Sequence, residues 1–267
     1  ACKVYIINID EVNDTYTIID SIQLIRNNKP YQTESFVVIN NVIYMISYSN
    51  IMSFIDILPG YHLQQRHETF SIPVTHDIPL HGITKKNHLV YMTPSKRQIG
   101  TEYIVSYNTL NTSVVKVATL GTDVRVKSLT FMSNGQVVVL INYKEETSMV
   151  DEDHCFHGEI RLYSQHFTLL DSVDIPYTHF DCICSDLCSF YATGANLQNG
   201  YIYVGEIDEN KIQTLYAHQV NDFPHGIDIL NDKIAYTSYA TSGVHFLEKS
   251  SLCREAQTTI IYRQQKN

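Results

Sequence analysis

The chain has 267 residues, of which 44% are hydrophobic, 11% aromatic and 18% charged, a composition that excludes disorder, collagen and coiled coil. Nineteen Lys and Arg against 28 Asp and Glu leave a net charge of -9 with no basic run, which argues against nucleic acid or an anionic membrane as partner. No apolar stretch approaches the ~18 residues of a membrane-spanning helix, and the longest runs, such as Val137 to Ile141, are strand-sized.

Val, Ile, Thr, Tyr and Phe dominate short apolar segments separated by Asn, Asp, Gly, Ser and Pro, so the chain reads as all-β. In chain order, an N-terminal hairpin is predicted from Lys3 to Ile9 and Tyr16 to Ile22. Five inner strands then open on aligned triplets: Glu34-Ser35-Phe36, His81-Gly82-Ile83, Lys127-Ser128-Leu129, Asp181-Cys182-Ile183 and His225-Gly226-Ile227. Their central residues are spaced by 47, 46, 54 and 44 positions, the period of a four-stranded propeller blade.

Within one unit the meander runs Leu80 to Thr84, Leu89 to Thr93, Glu102 to Tyr107 and Val114 to Ala118. The next runs Ser128 to Met132, Gln136 to Tyr143, Gly158 to Ser164 and Leu169 to Ile175. Six outer strand pairs predict a single six-bladed β-propeller over residues 1–267, with five blades as the alternative count. The N-terminal hairpin lacks two inner strands, so the first blade is expected to be incomplete or shared with a C-terminal strand from Thr258 to Tyr262.

Cys2 follows an initial Ala, as after signal-peptide cleavage, and the six cysteines and two sequons fit a secreted, extracellular protein. The sequons, Asn13-Asp14-Thr15 and Asn111-Thr112-Ser113, fall in expected outward hairpin tips, which makes Asn13 and Asn111 glycan acceptors. Disulfides are the preferred reading of the cysteines, with Cys155 reaching Cys182 or Cys184, and Cys2 with Cys253 clamping the chain ends.

Residues opening the inner strands ring the mouth of a propeller channel. The residue before each aligned small position is Glu34, His81, Lys127, Asp181 or His225, and all five are ionisable. Three readings are open. The ring residues line a solvated channel, or Glu34, His81, Asp181 and His225 hold a divalent cation. In the third, Lys127 with His81 and His225 attracts a ligand carboxylate while Tyr side chains cover an aromatic body. The long loop from Glu145 to His157 carries Asp151, Glu152, Asp153, His154 and His157; it reads as a solvated acidic loop, with a lid over the mouth as the other role.

Pro224-His225-Gly226-Ile227 with the strand Lys233 to Tyr239 resembles the blade opening of NHL-type and gluconolactonase-type propellers. Phe180 to Asp186 resembles the gluconolactonase segment that delivers a metal-binding aspartate, which implies Asp181 as ligand with Glu34 as its matching glutamate. His81 and His225 stand where that family has asparagine, which moves the implied metal away from calcium. His81-Gly82-Ile83 is similar to a segment of paraoxonase-type arylesterases and implies a general-base histidine. The strands Val42 to Tyr48 and Ile234 to Tyr239 resemble those of insect ommochrome-binding proteins, haemolymph carriers of TolB-like six-bladed fold. That resemblance implies reversible binding of a planar acidic pigment.

Nucleophile elbow, zincin, P-loop and dinucleotide signatures are all absent. The sequence therefore predicts a secreted carrier for a small aromatic acid, with a metal-dependent lactonase or esterase as the alternative. A bound pigment or a divalent cation is the expected non-protein component, and the oligomeric state is open.

Overall fold

The computed structural model describes residues 3–10, 13, 15–47, 50–73, 80–94, 101–122, 124–144, 156–187, 189–196, 198–221, 223–238, 241, 243–252 and 258–260. It begins with a two-stranded sheet of β1 (Lys3–Asp10) and β2 (Thr15–Gln23), followed by the short pair β3 (Ile25–Arg26) and β4 (Lys29–Pro30). Five blades follow, each an antiparallel meander. Blade 1 contains β5 (Ser35–Ile39), β6 (Val42–Ile46), β7 (Ile51–Leu58) and β8 (His62–Ser71). Blade 2 contains β9 (Leu80–Lys86), β10 (Leu89–Pro94), β11 (Thr101–Asn108) and β12 (Val114–Thr122).

Blade 3 is β13 (Val124–Phe131), β14 (Val137–Lys144), β15 (Phe156–Tyr163) and β16 (Leu169–Ile175). Blade 4 is β17 (His179–Asp186), β18 (Ser189–Ala195), β19 (Gly200–Asp208) and β20 (Lys211–Val220). Blade 5 has three strands, β21 (Pro224–Leu230), β22 (Lys233–Ser238) and β23 (Val244–Glu248), and leads into α1 (Lys249–Leu252). The last strand, β24 (Thr258–Ile260), is the one the sequence offered to a first blade either incomplete or shared with it. It pairs with β20 on the outer edge of blade 4, Tyr216 opposite Ile260. No helix among the described residues is long and apolar enough to cross a membrane.

The fold is thus an all-β propeller with five blades, the alternative count, and β1–β2 forms the expected pair without inner strands. The described chain divides into two compact units, 1–96 with 104–116, and 97–103 with 117–267. In the first, Val4, Ile22 and Leu24 from the hairpin side cover Ile43, Met45 and Ile55 of blade 1. With only that face covered, Tyr5, Tyr16, Ile18 and Ile19 stay exposed. The turn between β5 and β6 is Asn40-Asn41, both at positive φ (48° and 61°), the twist that joins two right-handed strands through two residues.

In the second unit, packing between neighbouring blades excludes water. Val138, Leu140, Ile160 and Leu162 of blade 3 meet Phe180, Phe190 and Ala192 of blade 4. On the other face of blade 4, Tyr191, Ile202 and Val204 meet Ile234 and Tyr236 of blade 5, with Leu252 of α1 closing the cluster. Glycines admit the aromatic rings: a Cβ on Gly205 would fall inside the van der Waals envelope of the fully buried Phe190, and one on Gly158 would lie 2.6 Å from the Phe180 ring.

Gly205→Ala should therefore destabilise the protein by roughly 1–3 kcal/mol through overpacking. A urea midpoint equal to wild type in this variant would contradict the packing described.

Candidate functional site

Strand pairing explains why the aligned small residues recur. In blade 4, Phe180 pairs with Gly194 and Ile183 with Ala192, so Asp181 and Cys182 face the single residue Thr193. Blade 5 repeats this with His225 and Gly226 opposite Thr237, and blade 2 with His81 and Gly82 opposite Thr93. Two residues against one is a β-bulge, which bends the strand and re-aims the side chain at its first position. That first position holds His81, Asp181 or His225. Blade 3 carries its extra residue at Lys127, between the pairs Val126–Ile141 and Ser128–Leu140. Blade 1 keeps regular register at Ser35–Ile46, and the Glu34 amide donates to the Ile46 carbonyl at 2.8 Å.

A bulge costs ladder hydrogen bonds, and here threonine hydroxyls replace them. Thr93 Oγ1 accepts from the Gly82 amide at 2.9 Å, Thr193 Oγ1 from Cys182 at 3.0 Å and Thr237 Oγ1 from Gly226 at 2.9 Å. Each threonine stands eleven residues after the small residue it serves. Asn142 of β14 holds the same segment from the neighbouring blade: its Nδ2 donates to the Phe180 carbonyl at 3.0 Å and its Oδ1 accepts from the Phe180 amide at 2.9 Å.

Around the Asp181 bulge the second unit gathers a charged group from three inner strands. Lys127 Nζ lies 2.9 Å from Asp181 Oδ1, with side chains only 11% and 10% exposed. The contact is short but off-axis for a hydrogen bond, so it acts as a charge contact rather than a directed bond. His179 Nδ1 is 3.9 Å from the same oxygen. Burial pushes the His179 imidazole down to about 4; Asp181 opposes the shift, while Lys127, Arg125 and His225 add to it. His179 is therefore neutral at pH 7. Arg125 shares the outward face of β13 with Lys127, and its Nε is shielded from solvent with no hydrogen-bond acceptor among the described residues. Two basic side chains, Arg125 and Lys127, thus act on His179 beside the Asp181 carboxylate.

Of the five ring residues expected from sequence, Lys127, Asp181 and His225 come together in this unit, and Lys127 is already matched by Asp181. Glu34 and His81 belong to the first unit, Glu34 half-buried ahead of β5 and His81 on the β9 bulge. Among the described residues no three His, Cys, Asp or Glu side chains converge to hold a metal. Sequence reading missed Arg125 and His179. Each stands two residues before a ring position, at Lys127 and Asp181, and that spacing on a strand is the signal that would have found them.

Of the loop residues, Asp151, Glu152, Asp153 and His154 lie outside the described residues, whereas His157 Nε2 is 3.7 Å from Asp174 and its ring lies 6.0 Å from that of Tyr143. Cys2, Cys155, Cys188 and Cys253 also lie outside them. No disulfide forms among the described residues; the expected partner of Cys182 or Cys184, Cys155, lies outside them, and burial pushes the Cys184 thiol well up.

No family model matches the sequence, and no curated protein matches it either. Solved structures do. The chain is similar to Kuenenia stuttgartiensis hydrazine synthase over 94% of this chain and 73% of that one, with a TM-score of 0.60 and 11% identity. It is also similar to the Dos1 propeller over 97% of this chain and 62% of that one, with a TM-score of 0.53 and 11% identity. The chain is a β-propeller. At this identity the likeness defines the fold alone, and neither relative's activity carries over.

The low position of His179 has a sign. The unfolded chain, with an ordinary imidazole near 6.5, takes up a proton that the folded state resists down to about 4, so stability is complete above pH 6.5 and falls between these values. The urea midpoint should drop across that window, and His179→Gln should flatten the drop; an equally steep fall in the variant would remove His179 as its cause.

Proposed function

We propose that the protein binds a small aromatic acid through the charged cluster of blades 3 to 5, as a carrier rather than a catalyst. The observation that carries this reading is Arg125. A half-buried guanidinium on the strand of Lys127, acting on His179, with no acceptor for its Nε among the described residues, suits a planar anion. Lys127 is spent on Asp181, so Arg125 supplies the charge that a ligand carboxylate needs. The neutral His179 ring can donate one hydrogen bond and accept another. The aromatic half of the reading rests on the 19 Tyr of the chain and on its ommochrome-carrier resemblance.

Secretion belongs to the same proposal, with glycans on Asn13 and Asn111. Both asparagines are exposed at hairpin turns, β1–β2 and β11–β12. For the metal-dependent lactonase, Asp181 is engaged by Lys127, and among the described residues no three His, Cys, Asp or Glu side chains converge.

Kynurenate, a planar bicyclic carboxylate, serves as the probe in calorimetry. Arg125→Met should weaken its binding about tenfold or more, the loss of a charge-assisted hydrogen bond, with little change in stability. Lys127→Met should also weaken binding, but it strands the buried Asp181 charge and should cost stability, roughly 3–5 kcal/mol. Unchanged affinity in Arg125→Met would refute the assignment.

A further inference from the structure

Thr193 and Thr237 make the same bond to their own bulges, yet their surroundings differ. Thr237 is exposed and can give its hydroxyl proton to water. Thr193 has no exposed surface, so its proton must find a protein acceptor. That acceptor lies in the next blade: Thr193 Oγ1 donates to the His225 carbonyl at 2.6 Å, in preference to the Cys182 carbonyl at 3.3 Å. A hydroxyl has one proton to give, and the shorter contact takes it. One side chain therefore receives the amide that follows Asp181 and grips the carbonyl of His225.

We propose that Thr193 is a positioning residue of the anion site, fixing the Asp181 bulge of blade 4 and the His225 bulge of blade 5 as one unit. This rests on the ligand-binding reading above and adds a residue that has no surface with which to touch the ligand. Asn142 completes the arrangement from the other side. It is 1% exposed and clamps both backbone groups of Phe180, so the segment Phe180-Asp181-Cys182 is held by a side chain at each end. The bond to a second ring residue is what ties ligand affinity to Thr193.

The test compares Thr193→Val, which keeps the shape and removes the hydroxyl, with Thr193→Ser, which restores it. Three quantities are read: the urea midpoint, kynurenate affinity, and the ring resonances of His179, which faces Arg125 and Lys127 of β13, Asp181 of β17 and His225 of β21. Valine should weaken kynurenate about tenfold, the scale of one buried hydrogen bond, and shift the His179 resonances, while serine should return both toward wild type.

Gln136→Ala is the control for stability, because Gln136 Nε2 donates to the Glu209 carbonyl at 2.7 Å, away from the cluster, and its loss should leave His179 unmoved. Resonances unchanged by Thr193→Val, or moved as far by Gln136→Ala, overturn the proposal. If wild type does not bind kynurenate, the ligand reading fails separately, and the His179 resonances still decide whether Thr193 positions the cluster. Should the valine variant not fold, Thr193→Cys takes its place, since a thiol fills the site and donates poorly.

Discussion

A β-bulge in a packed propeller creates backbone amides and carbonyls that the ladder cannot serve and that, beside the fully buried Thr93 and Thr193, water cannot reach. Leaving one such group unpaired costs roughly 1–3 kcal/mol, a large part of a domain's net stability. The protein meets this constraint with short polar side chains on the second strand of the blade. Thr93, Thr193 and Thr237 do so within their own sheets, and Asn142 does so across a blade boundary. The positions of Asp181 and His225 follow from these bonds, and with them the charge pattern of the second unit.

Electrostatics then follow from burial. Lys127 and Asp181 approach to 2.9 Å at about one-tenth exposure, where a buried charge without its partner is costly. Their pairing would leave a neutral patch if Arg125 were absent. With it, the cluster carries two basic side chains against one carboxylate inside a protein whose net charge is -9, a local inversion of the overall charge. His179 sits within this field as a neutral ring, held there chiefly by desolvation.

The sequence carried much of the fold, because blade architecture is written in period-2 alternation and in repeat spacing. Leu169–Ile175 is a strand as read, and the triplets His81-Gly82-Ile83, Asp181-Cys182-Ile183 and His225-Gly226-Ile227 do mark equivalent places. Where the reading failed, the cause was long-range or irregular. β13 begins at Val124 rather than Ser128 because the bulge at Lys127 interrupts the alternation that defines a strand's start, and Arg125 was hidden in the part so missed. Pairing of β24 with β20 depends on which edge is open in three dimensions, which local pattern cannot encode. The threonines were visible as strand-forming residues in Tyr91-Met92-Thr93 and Tyr191-Ala192-Thr193, but their bonding role needs the register to be known.

The constant offset between bulge and threonine has an evolutionary consequence. Since the hydroxyl grips only backbone, it sets no requirement of its own on the side chain at the first bulge position. Histidine in blades 2 and 5 and aspartate in blade 4 occupy the same mount. Such a mount is an interchangeable socket: selection can rewrite the chemistry at each bulge while the backbone beneath it keeps its shape.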